Sequence, residues 1–185
     1  MVMRMLPWIL GRGLGVAGYL ALVTLVATGM WFRHPWRRPS SRPDGTVHLR
    51  VHATLAAATT VLVAGHLVAL ALDRYAGVGW SGAFVPGRSH YRTAAVALGT
   101  AALYLGLLVG TTAALAGRPL VRHRWRAVHR LGTLCFASVW AHGVLAGSDA
   151  ASLRPLYVGT GVLVATMAAT SRYASWTGPR LENAT

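Results

Sequence analysis

Uncharged blocks dominate the hydropathy pattern of this chain. Residues 13–32 (GLGVAGYLALVTLVATGMWF) carry no charge, and residues 51–72 (VHATLAAATTVLVAGHLVALAL) carry only two histidines. Residues 93–117 are again uncharged, residues 131–147 hold one histidine, and residues 155–171 (PLYVGTGVLVATMAATS) form a shorter fifth block. A bilayer core of roughly 30 Å takes about 20 helical residues, with about 17 as the lower limit. In hydrocarbon every backbone polar group needs an internal partner, which selects helices for spans of this length. The pattern therefore predicts an all-α integral membrane bundle, one domain over 1–185, with five transmembrane helices at about 10–32, 48–72, 91–117, 122–147 and 153–172. The fourth is expected to start near Val121 or Trp125, and the fifth has the least margin.

Charge gives the bundle a direction. All eighteen basic residues are arginine, against four acidic ones, Asp44, Asp73, Asp149 and Glu182, for a formal charge of +14. Such a balance is also met in nucleic-acid binders, but the apolar blocks exclude that class. Twelve arginines fall on one side of the five spans: Arg33, Arg37, Arg38, Arg42, Arg50, Arg118, Arg122, Arg124, Arg126, Arg130, Arg172 and Arg180. Arg4, Arg12, Arg74, Arg88, Arg92 and Arg154 fall on the other. The positive-inside rule puts the larger group in the cytoplasm, the N-terminus outside and the C-terminus inside. Trp31, Trp36, Trp80, Trp125 and Trp176 lie near span ends, as an interfacial belt predicts; Trp140 lies within the fourth. The first apolar block is too long for a signal peptide and lacks a cleavage pattern after it, so it is expected to be retained. Cys135 is the lone cysteine, which leaves no disulfide framework and no cysteine-based metal site.

Ionisable side chains within membrane helices are functional candidates by default. His52 and His66 lie fourteen residues apart on the second predicted span, and His129 and His142 thirteen apart on the fourth. The axial rises are roughly 21 Å and 20 Å. Spans two crossings apart run parallel, so the four side chains form two levels: His52 with His129 toward the cytoplasm, His66 with His142 toward the outer face. Facing imidazoles across a helical bundle are the arrangement that clamps a haem iron axially. At 100° per residue the first pair returns to within about 40° of one face, but the second is left about 140° apart. The fourth helix therefore needs an irregularity, such as a π-bulge or a distortion at Gly132. His48 is a rival to His52, since it lies a whole number of turns from His66 and at i, i+4 from His52. His34, His90 and His123 read as loop residues.

The ordered pairs H-x13-H (His52, His66) and H-x12-H (His129, His142), with WRAVHRLG around His129 and HGVLAGSD around His142, resemble the ferric reductase-like transmembrane domain superfamily. That superfamily includes ferric reductases, the membrane domain of NADPH oxidases and the haem-binding membrane subunit of the methionine sulfoxide reductase system. The resemblance covers about residues 10–170. It implies two b-type haems, ligated by His52 with His129 and by His66 with His142. It also implies electron transfer across the membrane to an acceptor on the outer face: a ferric chelate, oxygen or a redox protein. No strand–glycine–helix dinucleotide motif is present; the G-x-G-x-G of Gly11, Gly13 and Gly15 opens a membrane span with no strand before it. FAD or FMN and NAD(P)H are thus expected only through a partner, and the electron donor is a partner protein or a quinol. The chain reads as an oxidoreductase component with the lipid membrane as its surroundings and no nucleic-acid partner.

Several other residues are candidates around this constellation. Arg50 and Arg130 flank the inner level and suit haem propionates, as arginine suits carboxylates generally; Arg126 lies there too, and Arg74, Arg88 and Arg92 lie toward the outer level. Gly65, Gly132 and Gly143 lie close to the histidines in sequence and offer room for a porphyrin face or for helix packing. Ser138, or a backbone carbonyl, is placed to orient the His142 ring. The arginine-only, alanine-rich composition points to a bacterium with GC-rich DNA and hence to its plasma membrane. The competing class is a non-redox polytopic membrane protein that uses the histidines for proton or metal handling.

Overall fold

A computed structural model describes residues 2–32 and 45–182 of the chain, with side chains over 5–31 and 46–173. Arg33, His34, Trp36, Arg37, Arg38, Arg42 and Asp44 lie outside the described residues, as do the side chains of Arg4, Trp176, Arg180 and Glu182. The architecture is all-α. In order the elements are α1 (Val2–Phe32), α2 (Gly45–Leu72), α3 (Gly79–Phe84), α4 (Thr93–Ala114), α5 (Pro119–Arg122), α6 (Trp125–His129), α7 (Gly132–Ala146) and α8 (Arg154–Glu182). Three stretches, Met5–Trp31, Thr46–Leu72 and Thr93–Ala114, are long and apolar enough to cross a membrane. The chain is thus a multi-pass membrane protein by helix length and composition. Many of its largest apolar side chains face outward, Val61 (70% exposed) and Val162 (61%) among them, as suits helices solvated by lipid tails.

Two antiparallel pairs make the framework. α1 packs along α2, and α4 packs along α7 with α6 beside it; α8 closes against α1 and, more lightly, α7. A small core joins α1, α7 and α8 through Tyr19, Val23, Phe136, Tyr157 and Val164. Tyr19 stacks on Phe136 and tilts against Tyr157, with ring centroids 6.4 and 5.2 Å apart. Its hydroxyl hydrogen-bonds Thr160 Oγ1. Trp140 belongs to this packing: its Nε1 donates to the Tyr157 carbonyl at 2.8 Å, and its ring lies over Gly161.

The segment between α2 and α4, left between spans by the hydropathy pattern, folds into the short helix α3. Asp73 ends α2 by accepting the Ala76 N–H on Oδ2 at 2.7 Å. The carbonyls at the end of α3 are taken up by α4 side chains: Thr100 Oγ1 donates to Ala83 O at 3.3 Å and Tyr104 Oη to Phe84 O at 2.6 Å. A helix end leaves such carbonyls without intrahelical partners. Pro86 and Gly87, the latter at φ +83°, then reverse the chain. At the start of α4, Tyr91 Oη donates to Ala146 O at 3.1 Å and Arg92 Nη1 to Leu145 O at 2.6 Å. These bonds fasten the C-terminal end of α7, and so His142, to the N-terminal end of α4.

The single helix expected over 122–147 is broken into α5, α6 and α7. At residues 130–131 the hydrogen bonding tightens to three-residue closure, with Leu131 N donating to Val128 O at 2.9 Å and Thr133 N to Arg130 O at 3.3 Å. Three-residue closure winds faster than the α-helix. Two local causes act together. Gly132 is a poor helix former, and Thr133 Oγ1 claims the Arg130 carbonyl at 2.7 Å, a competition with the helical ladder that short hydroxyl side chains commonly offer. By itself α7 has 15 residues, short of the about 17 needed to span.

Candidate functional site

The break decides the geometry of the histidines. His129 ends α6 and His142 sits on α7, so the thirteen-residue offset on one ideal helix does not apply. Both rings meet the histidines of α2. His52 and His129 have ring centroids 6.0 Å apart, and His66 and His142 6.4 Å apart. The structure thus brings together, ring beside ring, the two histidines that the sequence puts at each level. His48 is not on the cavity wall described next.

All four rings line one cavity of about 1870 Å³ that runs along the bundle between the two helix pairs. A single small-molecule pocket measures about 300–1,000 Å³, so this one has room for more than one such ligand. Its wall is mainly apolar, contributed by α1, α2, α4, α7 and α8, with His129 from α6 and Ala83 and Phe84 from α3. Polar side chains gather at the ends: Arg12 and Asp149 at the His66/His142 end, Arg130, Thr133, Ser171 and Arg172 at the other. Ser171 Oγ is buried there with no hydrogen-bond partner among the described residues.

The His66/His142 pair is held by backbone. His66 Nδ1 lies 2.6 Å from Gly11 O, and His142 Nδ1 lies 2.7 Å from Ala95 O. A carbonyl oxygen only accepts, so each Nδ1 carries the proton and donates. That fixes the tautomer and leaves each Nε2 with its lone pair, the form that ligates a metal. Ser138, a candidate for orienting His142, is not its partner; the α4 carbonyl is. At the inner level the His129 ring also meets Trp125, edge-on at 5.7 Å.

Glycines back three of the rings, and they are not the three nearest in sequence. A Cβ on Gly15 would lie 2.9 Å from His66 Nδ1, one on Gly99 2.7 Å from His142 Nδ1, and one on Gly29 3.2 Å from His52 Cε1. Gly65 instead faces Leu14, Gly143 faces Tyr157, and Gly132 has open space. The signal was present in the spacing: Gly15 and Gly29 are fourteen apart on α1, as His52 and His66 are on α2. In an antiparallel pair that equality carries one glycine to each histidine. The same register puts Gly11 against Leu70 and Gly18 against Val63.

Of the arginines, Arg130 reaches the cavity wall at the inner end, whereas Arg50 is exposed and does not. Arg74 and Arg88 are exposed and off the wall, and Arg92 is committed to Leu145 O. The outer-end arginine is Arg12, ion-paired with Asp149 and lying over the Trp8 ring at 5.6 Å. Sequence counting treated it only as a topology charge.

A bis-imidazole site fits an iron that brings its own four equatorial ligands. Two metal–imidazole bonds of about 2 Å each, plus the half-width of each ring, bring the centroids to about 6 Å apart. A bare ion would want further protein ligands, and among the described residues no three His, Cys, Asp or Glu side chains converge. No protein-family model, curated protein or solved structure matches this chain.

Proposed function

We propose that the protein is a di-haem b electron-transfer protein of the bacterial plasma membrane, of the ferric reductase-like kind. It takes electrons from a cytoplasmic or membrane donor and passes them to an acceptor on the outer face. One observation carries the reading: two pairs of imidazoles, at two levels of one apolar cavity, each at the separation of a bis-histidine haem. Bound haem supplies a one-electron couple at each level.

The chain's own residues do the rest. His52 with His129, and His66 with His142, are the residues that would hold the two haems, and with two imidazoles on each the groups would supply electron transfer and not direct oxygen binding. The Nδ1 bonds to Gly11 and Ala95 raise the basicity of the outer ligands. Arg130 and Arg172 at the inner end and Arg12 at the outer end are the cations within reach of propionate carboxylates. The apolar wall keeps water from the space between the levels, about 21 Å apart by helical rise along α2.

In this reading α6 and α7 together form a fourth span and α8 a fifth, with the N-terminus outside and the C-terminus in the cytoplasm. Flavin and nicotinamide chemistry belongs to a partner; a quinol or redox protein is the donor, and a ferric chelate, oxygen or redox protein the acceptor. The test is a reduced-minus-oxidised optical spectrum of purified protein expressed with haem supplied. A low-spin b-type signal at two haems per chain is expected. A protein that folds and carries no haem would leave proton or metal handling as the function of these histidines.

A further inference from the structure

We propose that Gly15 and Gly99 are positioning residues that let the outer histidine rings share a helix-backbone carbonyl; this rests on the di-haem reading of the same site. The same device occurs twice, on helices that carry no ligand themselves. His66 donates to the carbonyl of Gly11, and the residue four further along α1 is Gly15. His142 donates to the carbonyl of Ala95, and the residue four further along α4 is Gly99.

The spacing has a physical reason. Inside an α-helix the carbonyl of residue i points toward the N–H of residue i+4. A second donor reaches its remaining lone pair only by passing over the side of residue i+4. A methyl group there blocks the approach. It would stand 2.9 Å from His66 Nδ1 and 3.0 Å from Cε1 at position 15, and 2.7 and 2.8 Å from the same atoms of His142 at position 99. Atoms of this kind rest at about 3.5–4.0 Å. A ring pushed back far enough to clear the methyl loses its hydrogen bond to the carbonyl, and with it the fixed tilt and tautomer of the ligand.

Gly29 supplies the contrast. It backs His52 more loosely, at 3.2 Å from Cε1. Gly13 and Gly159 have nothing within 4 Å of a built Cβ, lie off the cavity wall and serve as controls on α1 and α8.

The experiment uses the full chain in detergent or nanodiscs, with Gly15→Ala, Gly99→Ala, Gly29→Ala, Gly13→Ala and Gly159→Ala. Haem per chain, the low-temperature EPR spectrum of the ferric protein and the midpoint potentials are read. Gly15→Ala and Gly99→Ala are expected to shift or abolish the same one of two haem signals and spare the other, while the controls match the unmodified chain. Two intact, unshifted signals in Gly15→Ala and Gly99→Ala would overturn the proposal and leave the di-haem reading standing.

A second measurement needs no haem. Thermal unfolding of apoprotein is compared for Gly15→Ala alone and in a His66→Ala background, and for Gly99→Ala alone and in His142→Ala. The destabilisation by each added methyl is expected to shrink when the ring it meets is removed. An undiminished effect would show that the glycines serve helix packing and not the rings. Absence of haem from the unmodified chain would sink the electron-transfer reading, while this cycle would still decide the contact.

Discussion

The ring of His66 donates from Nδ1 to the carbonyl oxygen of Gly11 at 2.6 Å, across the α1–α2 interface. The bond joins a ligand candidate to the first glycine of the G-x-G-x-G run, which has no strand before it and so no dinucleotide role. Only the neutral imidazole with its proton on Nδ1 both makes this bond and offers Nε2 to a metal. His142 repeats the arrangement with Ala95, so both rings of this pair keep Nε2 free of the backbone bond.

Pairing is the first expected outcome. His66→Ala and His142→Ala should each remove one and the same haem, and His52→Ala and His129→Ala the other, so that haem per chain falls from two to one in every case. His48→Ala should retain both, because His48 does not face the cavity. Haem quantification with EPR identifies which signal is lost; loss of different signals in His66→Ala and His142→Ala would refute the pairing.

Arg12 separates stability from cofactor binding. Its ion pair with Asp149 joins two partly exposed groups, 35% and 45%, and such pairs contribute about 0–1 kcal/mol. Arg12→Gln should therefore move thermal unfolding by less than roughly 2–4 °C. Because Arg12 stands on the cavity wall at the outer level, the same change should weaken retention of the outer haem and spare the inner one. Haem dissociation to an excess of apomyoglobin measures this.

Trp140 is expected to serve packing and not electron passage. Trp140→Phe removes the bond from Nε1 to Tyr157 O, a loss of about 1 kcal/mol, read as a lower unfolding midpoint in detergent. Both haem signals and the rate of electron transfer between levels should be unchanged; a slowed transfer after flash reduction would assign the indole a place in the path.

Orientation is open to labelling. In a Cys135→Ala background, Ser81→Cys on exposed α3 should react with a membrane-impermeant maleimide from outside intact cells. Arg122→Cys, exposed on α5, should react only after the cells are opened. The reverse result would invert the assigned direction of electron flow.

What the sequence determined by itself was the long elements and the spacing of the histidines. Uncharged blocks of bilayer length give helices wherever they occur, so α1, α2 and α4 were legible, and His52, His66 and His142 inside such blocks, with His129 just before one, announced two levels by spacing alone. The sequence also held the fourteen-residue echo of Gly15 and Gly29, readable only once α1 and α2 are known to be antiparallel partners. Tertiary structure decided the remainder. The break at Arg130 and Leu131 arises from Gly132 and from Thr133 competing for a carbonyl, a local balance that hydropathy does not register. It frees His129 from the phase of His142 and brings both to α2. Which arginines reach the cavity, Arg12, Arg130 and Arg172 and not Arg50, depends on which helix face turns inward, and that is set by packing against neighbours. The carbonyls of Gly11 and Ala95 belong to the backbone, which every residue carries. Sequence therefore has no letter for them, and only the approach of two helices shows which two are used.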